Sequence, residues 1–114
     1  MSSRQIQHFF NNAMVVLGHH GWKLEMGDWS DSYCWVKSRK ITLGLKYDGD
    51  IRQILLHEIA HIDTCRFSNN RHTPAFWKRL EYLVRRFLRT GLDEHQMRHR
   101  KYQSEGIYAL CYER

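Results

Sequence analysis

Proline occurs once in the 114 residues, as Pro74, and no Pro/Ser-rich linker, internal repeat or low-complexity tract interrupts the chain. That excludes modules strung on flexible connectors and predicts one domain over residues 1–114. Cysteine is scarce. Cys34, Cys65 and Cys111 are odd in number and form no CxxC pair, which argues against a disulfide framework and against a zinc ribbon and predicts three reduced thiols. Long hydrophobic runs are missing too. The apolar stretch from Ala13 to Leu17 is too short for a secretory signal and ends in Gly-His-His-Gly. Nothing approaches the ~20 apolar residues of a membrane span. The expectation is an intracellular protein, in the cytoplasm, at the nucleoid or inside a host cell, with no membrane partner.

Acidic residues are the minority charge, 12 against 18 Lys and Arg, for a net charge of +6. The excess is concentrated. Residues 78–101 hold Lys78, Arg79, Arg85, Arg86, Arg89, Arg98, Arg100 and Lys101 against Glu81, Asp93 and Glu94. Such a stretch can track phosphates, which makes DNA or RNA a candidate partner, or it can be a solvated helix face.

The chain is otherwise ordinary for a globular protein, 42% hydrophobic and 13% aromatic. Ile6, Phe9, Phe10, Ala13, Met14 and Leu17 recur at helical spacing behind a Ser2/Gln5 capping box, with Gly18 and Gly21 as the stop. Three β-like runs follow, Trp22–Met26, Ser32–Lys37 and Ile41–Tyr47, with turn residues at 27–31 and 38–40. Asp50 and Gln53 read as a capping box for a helix reaching about Cys65. After a loop, Thr73-Pro74 supplies an N-cap with proline in the first turn. Phe76, Trp77, Leu80, Leu83, Val84, Phe87 and Leu88 then line one helix face up to Thr90-Gly91. The expected fold is α+β: an N-terminal helix, a small, mainly antiparallel three-stranded sheet, and two helices. Residues 92–114 are basic at first and end in Ile107–Tyr112, a candidate strand or docked segment.

The chemistry centres on His57-Glu58-Ile59-Ala60-His61, an HExxH motif on the helix opened by Asp50. Histidines four apart lie on one helix face, where two neutral imidazoles can share zinc. Glu58 falls on an otherwise apolar arc with Ile51 and Ile54, where a carboxylate is costly to bury without compensation. A zinc-bound water, its pKa drawn towards ~7, is the natural partner, and Glu58 is the candidate base that accepts its proton.

A catalytic zinc needs a third protein ligand. His72 lies at the end of the loop, just before the Thr73-Pro74 helix start. Glu81 borders the buried face of the next helix, in a thermolysin-like position. Cys65 is one turn beyond His61, and Asp63 points elsewhere on the helix. His72 is preferred, because it sits at the helix entrance on a loop that can bend back, whereas Glu81 is two turns in and has Arg85 available as an i,i+4 partner. Thr64 and Phe67 stand where a metzincin has Gly and His, which excludes that class. His8, His19, His20, His95 and His99 fit no ligand spacing. His19-His20 reads as a surface pair at a helix end, and Trp22, Trp29 and Trp35 as sheet and loop core.

The motif followed by His72-Thr73-Pro74-Ala75-Phe76-Trp77 resembles the SprT-like and WLM group of zincin peptidases and the YgjP-like metallohydrolases. In that group HExxH is followed, after a variable loop, by a third His opening a His-Gly/Ser-Pro-x-Phe/Trp stretch. The likeness is specific over residues 54–77 and loose over 1–50. It implies a minimal zincin domain in which His57, His61 and His72 bind Zn2+ and Glu58 is the catalytic base. It also implies that a strand edge within Ile41–Tyr47 holds an extended peptide. Thr73 replaces the commoner small residue, and the group's frequent C-terminal zinc ribbon has no counterpart, since only Cys111 follows. The expected function is a zinc-dependent endopeptidase, cleaving proteins or peptides that include nucleic-acid-bound ones. Two alternatives stand beside it. One is a YbeY-like zinc ribonuclease, although that motif lacks the Glu after the first His. The other is a non-catalytic, zinc-stabilised binding module.

Overall fold

The computed structural model describes residues 1–68 and 72–104. Helix α1 (Ser3–Leu17) starts at the expected capping box, with the Gln5 amide donating to Ser2 Oγ and the Gln5 side chain accepting from the Ser2 amide. It ends on Gly18, whose φ of 74° is the left-handed conformation that glycine adopts without strain. Ile6, Phe10, Ala13 and Met14 form its buried stripe.

Strands β1 (Lys23–Gly27), β2 (Tyr33–Trp35) and β3 (Lys40–Gly44) form one sheet in the order β1-β3-β2. The sheet is mixed, not mainly antiparallel. β3 pairs parallel to β1, with Leu24 opposite Ile41, and antiparallel to β2, with Cys34 opposite Ile41. The reason lies in β3 itself. Ile41, Thr42 and Leu43 are all buried, so both faces of this strand are covered, and a strand covered on both faces belongs at the centre of a sheet. Thr42 is satisfied by Trp35, whose indole N–H donates to its hydroxyl at 2.9 Å. A Cβ on Gly44 would collide with the backbone oxygens of Trp29 and Asp31, so glycine lets the β1–β2 connection pass close to the strand end.

Helix α2 (Ile51–Ser68) runs a turn further than expected. Its start is not a reciprocal capping box. Asp50 Oδ1 accepts from the Arg52 amide at 3.0 Å, but the buried Gln53 side chain turns away, donating to Gly91 O and accepting from the Asp93 amide. Helix α3 (Pro74–Leu88) opens at Thr73, whose hydroxyl accepts from the Phe76 amide. It closes on Arg89 in the left-handed conformation, two residues before Gly91. Helix α4 (Glu94–Ser104), in a stretch where the sequence shows no apolar periodicity, is capped by Asp93, whose Oδ1 accepts from the Gln96 amide at 2.9 Å. The candidate strand Ile107–Tyr112 and Cys111 lie outside the described residues.

Leu55, Leu56, Ile59 and Ala60 of α2 pack between the sheet residues Ile41 and Leu43 and the α3 residues Phe76, Leu80, Leu83 and Val84, with α1 closing the cluster. The fold is therefore α+β, with α2 at its centre. Among the described residues, no helix is long and apolar enough to cross a membrane, and Cys34 and Cys65 are free thiols.

Candidate metal centre

Three elements converge on one histidine cluster. His57 comes from the middle of α2, His72 from the residue before the α3 cap, and His99 from α4. One ring nitrogen from each lies within 4.8 Å of the other two, a group able to hold a metal ion. His57 Nε2 and His72 Nε2 are 3.0 Å apart. Tetrahedral zinc, with Zn–N bonds of ~2.0–2.1 Å, needs nitrogens about 3.3 Å apart, so these two imidazoles require little movement.

His61 lies one turn along α2 from His57. It is fully buried, its ring stacked on Phe76 at 4.3 Å and 5.1 Å from each of the His57 and His72 rings. The structure thus gathers all three expected ligands, His57, His61 and His72, around Phe76. His61 is not a member of the nitrogen-matched group, and His99 is. The His99 ring stacks on His57 at 5.6 Å with an interplanar angle of 12° and lies 4.3 Å from His72. His99 has no ligand spacing in the sequence, and the tertiary fold supplies what spacing does not.

A hydrogen-bonded chain runs behind His57. Its Nδ1 lies 2.8 Å from Gln96 Oε1, an acceptor, so Nδ1 carries the proton and the Nε2 lone pair faces the cluster. The Gln96 amide group donates to Tyr47 Oη, and the Tyr47 hydroxyl donates to Asp93. Gln96 is fully buried, and burial pushes the Tyr47 hydroxyl far above its ordinary pKa, so it remains a donor.

The electrostatics favour neutral ligands. Burial, then the neighbouring His72 and His99, hold His57 well below the ordinary histidine pKa. Burial, then His57 and His99, do the same to His61. His99 is lowered to about 4, chiefly by burial. Neutral imidazole is the form that binds metal. Glu58 is buried, and burial raises its pKa well above the carboxylate range. Its Oε1 has no hydrogen-bond partner among the described residues. An orphaned, buried carboxyl oxygen in the helical turn of His57 and His61 fits a site completed by a cation and its water.

The remaining candidates have other duties. Asp63 bridges His19 at 2.6 Å and Arg79 at 2.7 Å, tying the turn after α1 and helix α3 to α2, so His19 is not a surface residue of a loose pair. Cys65 Sγ donates to Ile62 O. Glu81 pairs with Arg100 on α4, not with Arg85. β3 is paired on both sides over Lys40–Thr42 and with β1 alone at Leu43 and Gly44, where the Gly44 amide donates to Ser32 Oγ. The Leu45 and Lys46 amides donate to Gly27 O and Trp29 O. Ile41 and Thr42 therefore offer no free edge to a peptide, and the outer strands of the sheet are β1 and β2. Trp29 is 44% exposed and so is not loop core. No family model, curated protein or solved structure matches the chain.

Proposed function

We propose that the protein is a zinc-dependent endopeptidase. The observation that carries this reading is the pairing of a buried histidine cluster able to hold a metal ion with the buried Glu58, whose Oε1 is unsatisfied, within the HExxH turn of α2. The likeness of residues 54–77 to the SprT-like zincins points the same way. His57, His61 and His72 are the ligand set of this reading. Zinc bound there would supply a Lewis acid for the scissile carbonyl and an acidified water.

The chain's own groups do the rest. With α4 docked, Gln96 sets the His57 tautomer for metal binding by accepting a hydrogen bond from Nδ1–H. Glu58 takes a proton from the attacking water at a carboxylate oxygen and returns it to the leaving amine. Burial raises the Glu58 pKa, and its charged form would be favoured beside a bound dipositive ion. Phe76 and Trp77 wall the cluster and keep bulk water from the histidines.

The test is Glu58→Gln, measured for both zinc content and peptide hydrolysis. The variant should fold, keep about one zinc per chain and lose hydrolysis by the ~10²–10⁴-fold typical of a general base. Near wild-type cleavage would refute the mechanism, and loss of zinc would make Glu58 a ligand. An RNA substrate assayed in parallel, with and without chelator, tests the ribonuclease alternative.

A further inference from the structure

Helix α4 differs from the rest of the fold in what holds it. Met97 is the apolar side chain of its first two turns, and it is 52% exposed. Among its described residues, its attachments to the body are polar apart from the ring contacts of His95 with Tyr47 and of His99 with Trp77 and the histidine cluster. Asp48 meets His95 at 3.0 Å and Arg98 at 3.8 Å, Glu81 pairs with Arg100, Gln53 and Tyr47 hold the Asp93 cap, and Gln96 bonds His57. Exposed ion pairs of this kind contribute little each. The one turn of α4 that reaches inward carries Gln96 and His99, both to the histidine cluster.

We propose that His99 is itself a metal ligand, so that metal binding clamps α4 against the site. The inference rests on the metal reading above, but it concerns the fourth position of that centre. His57 and His72 are shared by both groupings of histidines. With His61 as the third ligand, His99 takes the place that an open catalytic centre leaves for water. The docked helix is then the resting state of the enzyme. Peptide enters only when α4 swings away, taking His99 with it and breaking the Gln96–His57 bond. Such a device needs a helix whose docking is weak without the metal and specific with it. A polar underside with one buried amide and one ligating imidazole provides both.

Limited trypsin digestion tests this, because Arg98, Arg100 and Lys101 lie in α4 and are exposed. Full-length wild type, His99→Ala and the control His95→Ala would be digested with and without cobalt(II), and the cobalt absorption of each recorded. In wild type, cobalt should slow cleavage within α4 by on the order of tenfold or more, since a ligand bound by the docked form stabilises that form by mass action. The absorption should have the high intensity of four-coordinate cobalt. His99→Ala should still take up one equivalent, lose the metal-dependent protection and change its absorption as water replaces imidazole. His95→Ala removes one of the two partners of Asp48 and a ring contact with Tyr47, leaves Gln96 and His99 in place, and should keep the protection. Protection that survives in His99→Ala overturns the proposal. So does wild type that takes up cobalt with no change in α4 cleavage. Failure of wild type to take up cobalt or zinc at all would overturn the metal reading itself, and the clamp with it.

Discussion

The histidine cluster is assembled from two kinds of structure. His57 and His72 sit where α2 meets α3, on elements buried through Leu55, Leu56, Ile59, Phe76, Leu80 and Leu83. His99 and Gln96 arrive on α4, whose described residues add no member to the apolar core and are tied down mainly by hydrogen bonds and ion pairs at the rim. The first pair is positioned by the same packing that stabilises the domain, so its geometry survives as long as the fold does. The second is positioned by interactions that water and salt compete for. A site built half on core and half on a polar helix can keep its metal-binding geometry on one side while opening on the other.

Substitutions on the two sides should therefore have unequal effects. Leu56→Ala, in the fully buried centre of α2, should destabilise the protein by about 2–5 kcal/mol through lost burial and a cavity. Met97→Ala on α4 should stay within about 0.5 kcal/mol. Paired denaturant titrations would show this, and equal losses would mean that α4 belongs to the core after all.

A smaller effect is expected at Gln96. Gln96→Ala removes the partner that sets the His57 tautomer, and loss of such an outer partner lowers metal affinity by roughly 10–100-fold. Competition against a chromophoric chelator measures it. A shifted cobalt absorption at full loading would separate this positioning role from simple loss of stability.

The metal-free protein should also lose stability in acid. His57, His61 and His99 have lowered folded-state pKa values, so between about pH 6.5 and about pH 4 the unfolded chain binds more protons than the folded one. Stability contributed by these groups is full above that window and falls as pH drops through it. Glu58 acts oppositely. Its raised folded pKa means that its contribution is present below 4.5 and lost as pH rises above it. The net result should be a decline from pH 7 to pH 4 that is steeper in Glu58→Gln, where the opposing group is gone. Denaturation midpoints across that range for the two proteins provide the measurement.

The gentlest expected effect concerns the outer face of α3, where Arg85, Arg86 and Arg89 are exposed and make no ion pair with the described residues. Reversing all three to Glu should weaken retention on DNA at low salt while leaving cleavage of a free peptide intact. Indifference of wild-type retention to salt would mean that the face is merely solvated.

Local signals were reliable wherever local chemistry decides structure. The Ser2/Gln5 cap, the Gly18 stop, the Thr73-Pro74 start and the buried stripes of α1 and α3 were all legible. So was the convergence of His57 and His72, because a loop must bring the entrance of α3 back to α2 for their apolar faces to meet. Parallel pairing of β1 with β3 was not legible, since short turns suggest a meander and only burial of both faces of β3 places it centrally. Helix α4 was missed because it has little apolar periodicity. Its signals were an Asp93 cap and a Glu94–Arg98 pair at i,i+4.

By itself the sequence determined the motif helix, the imidazole and carboxylate chemistry on it, and the expectation of a metal, because these depend on spacing within one helix and on residue type. Tertiary structure alone decided that Gln53 staples the α3–α4 turn, that Asp63 ties α2 to α3 and to the turn after α1, that Glu81 faces Arg100 and that His99 joins the cluster. Each of these joins residues at least 16 positions apart. No periodicity encodes such a meeting. It follows from the path the backbone takes once the core between the sheet, α2 and α3 has formed.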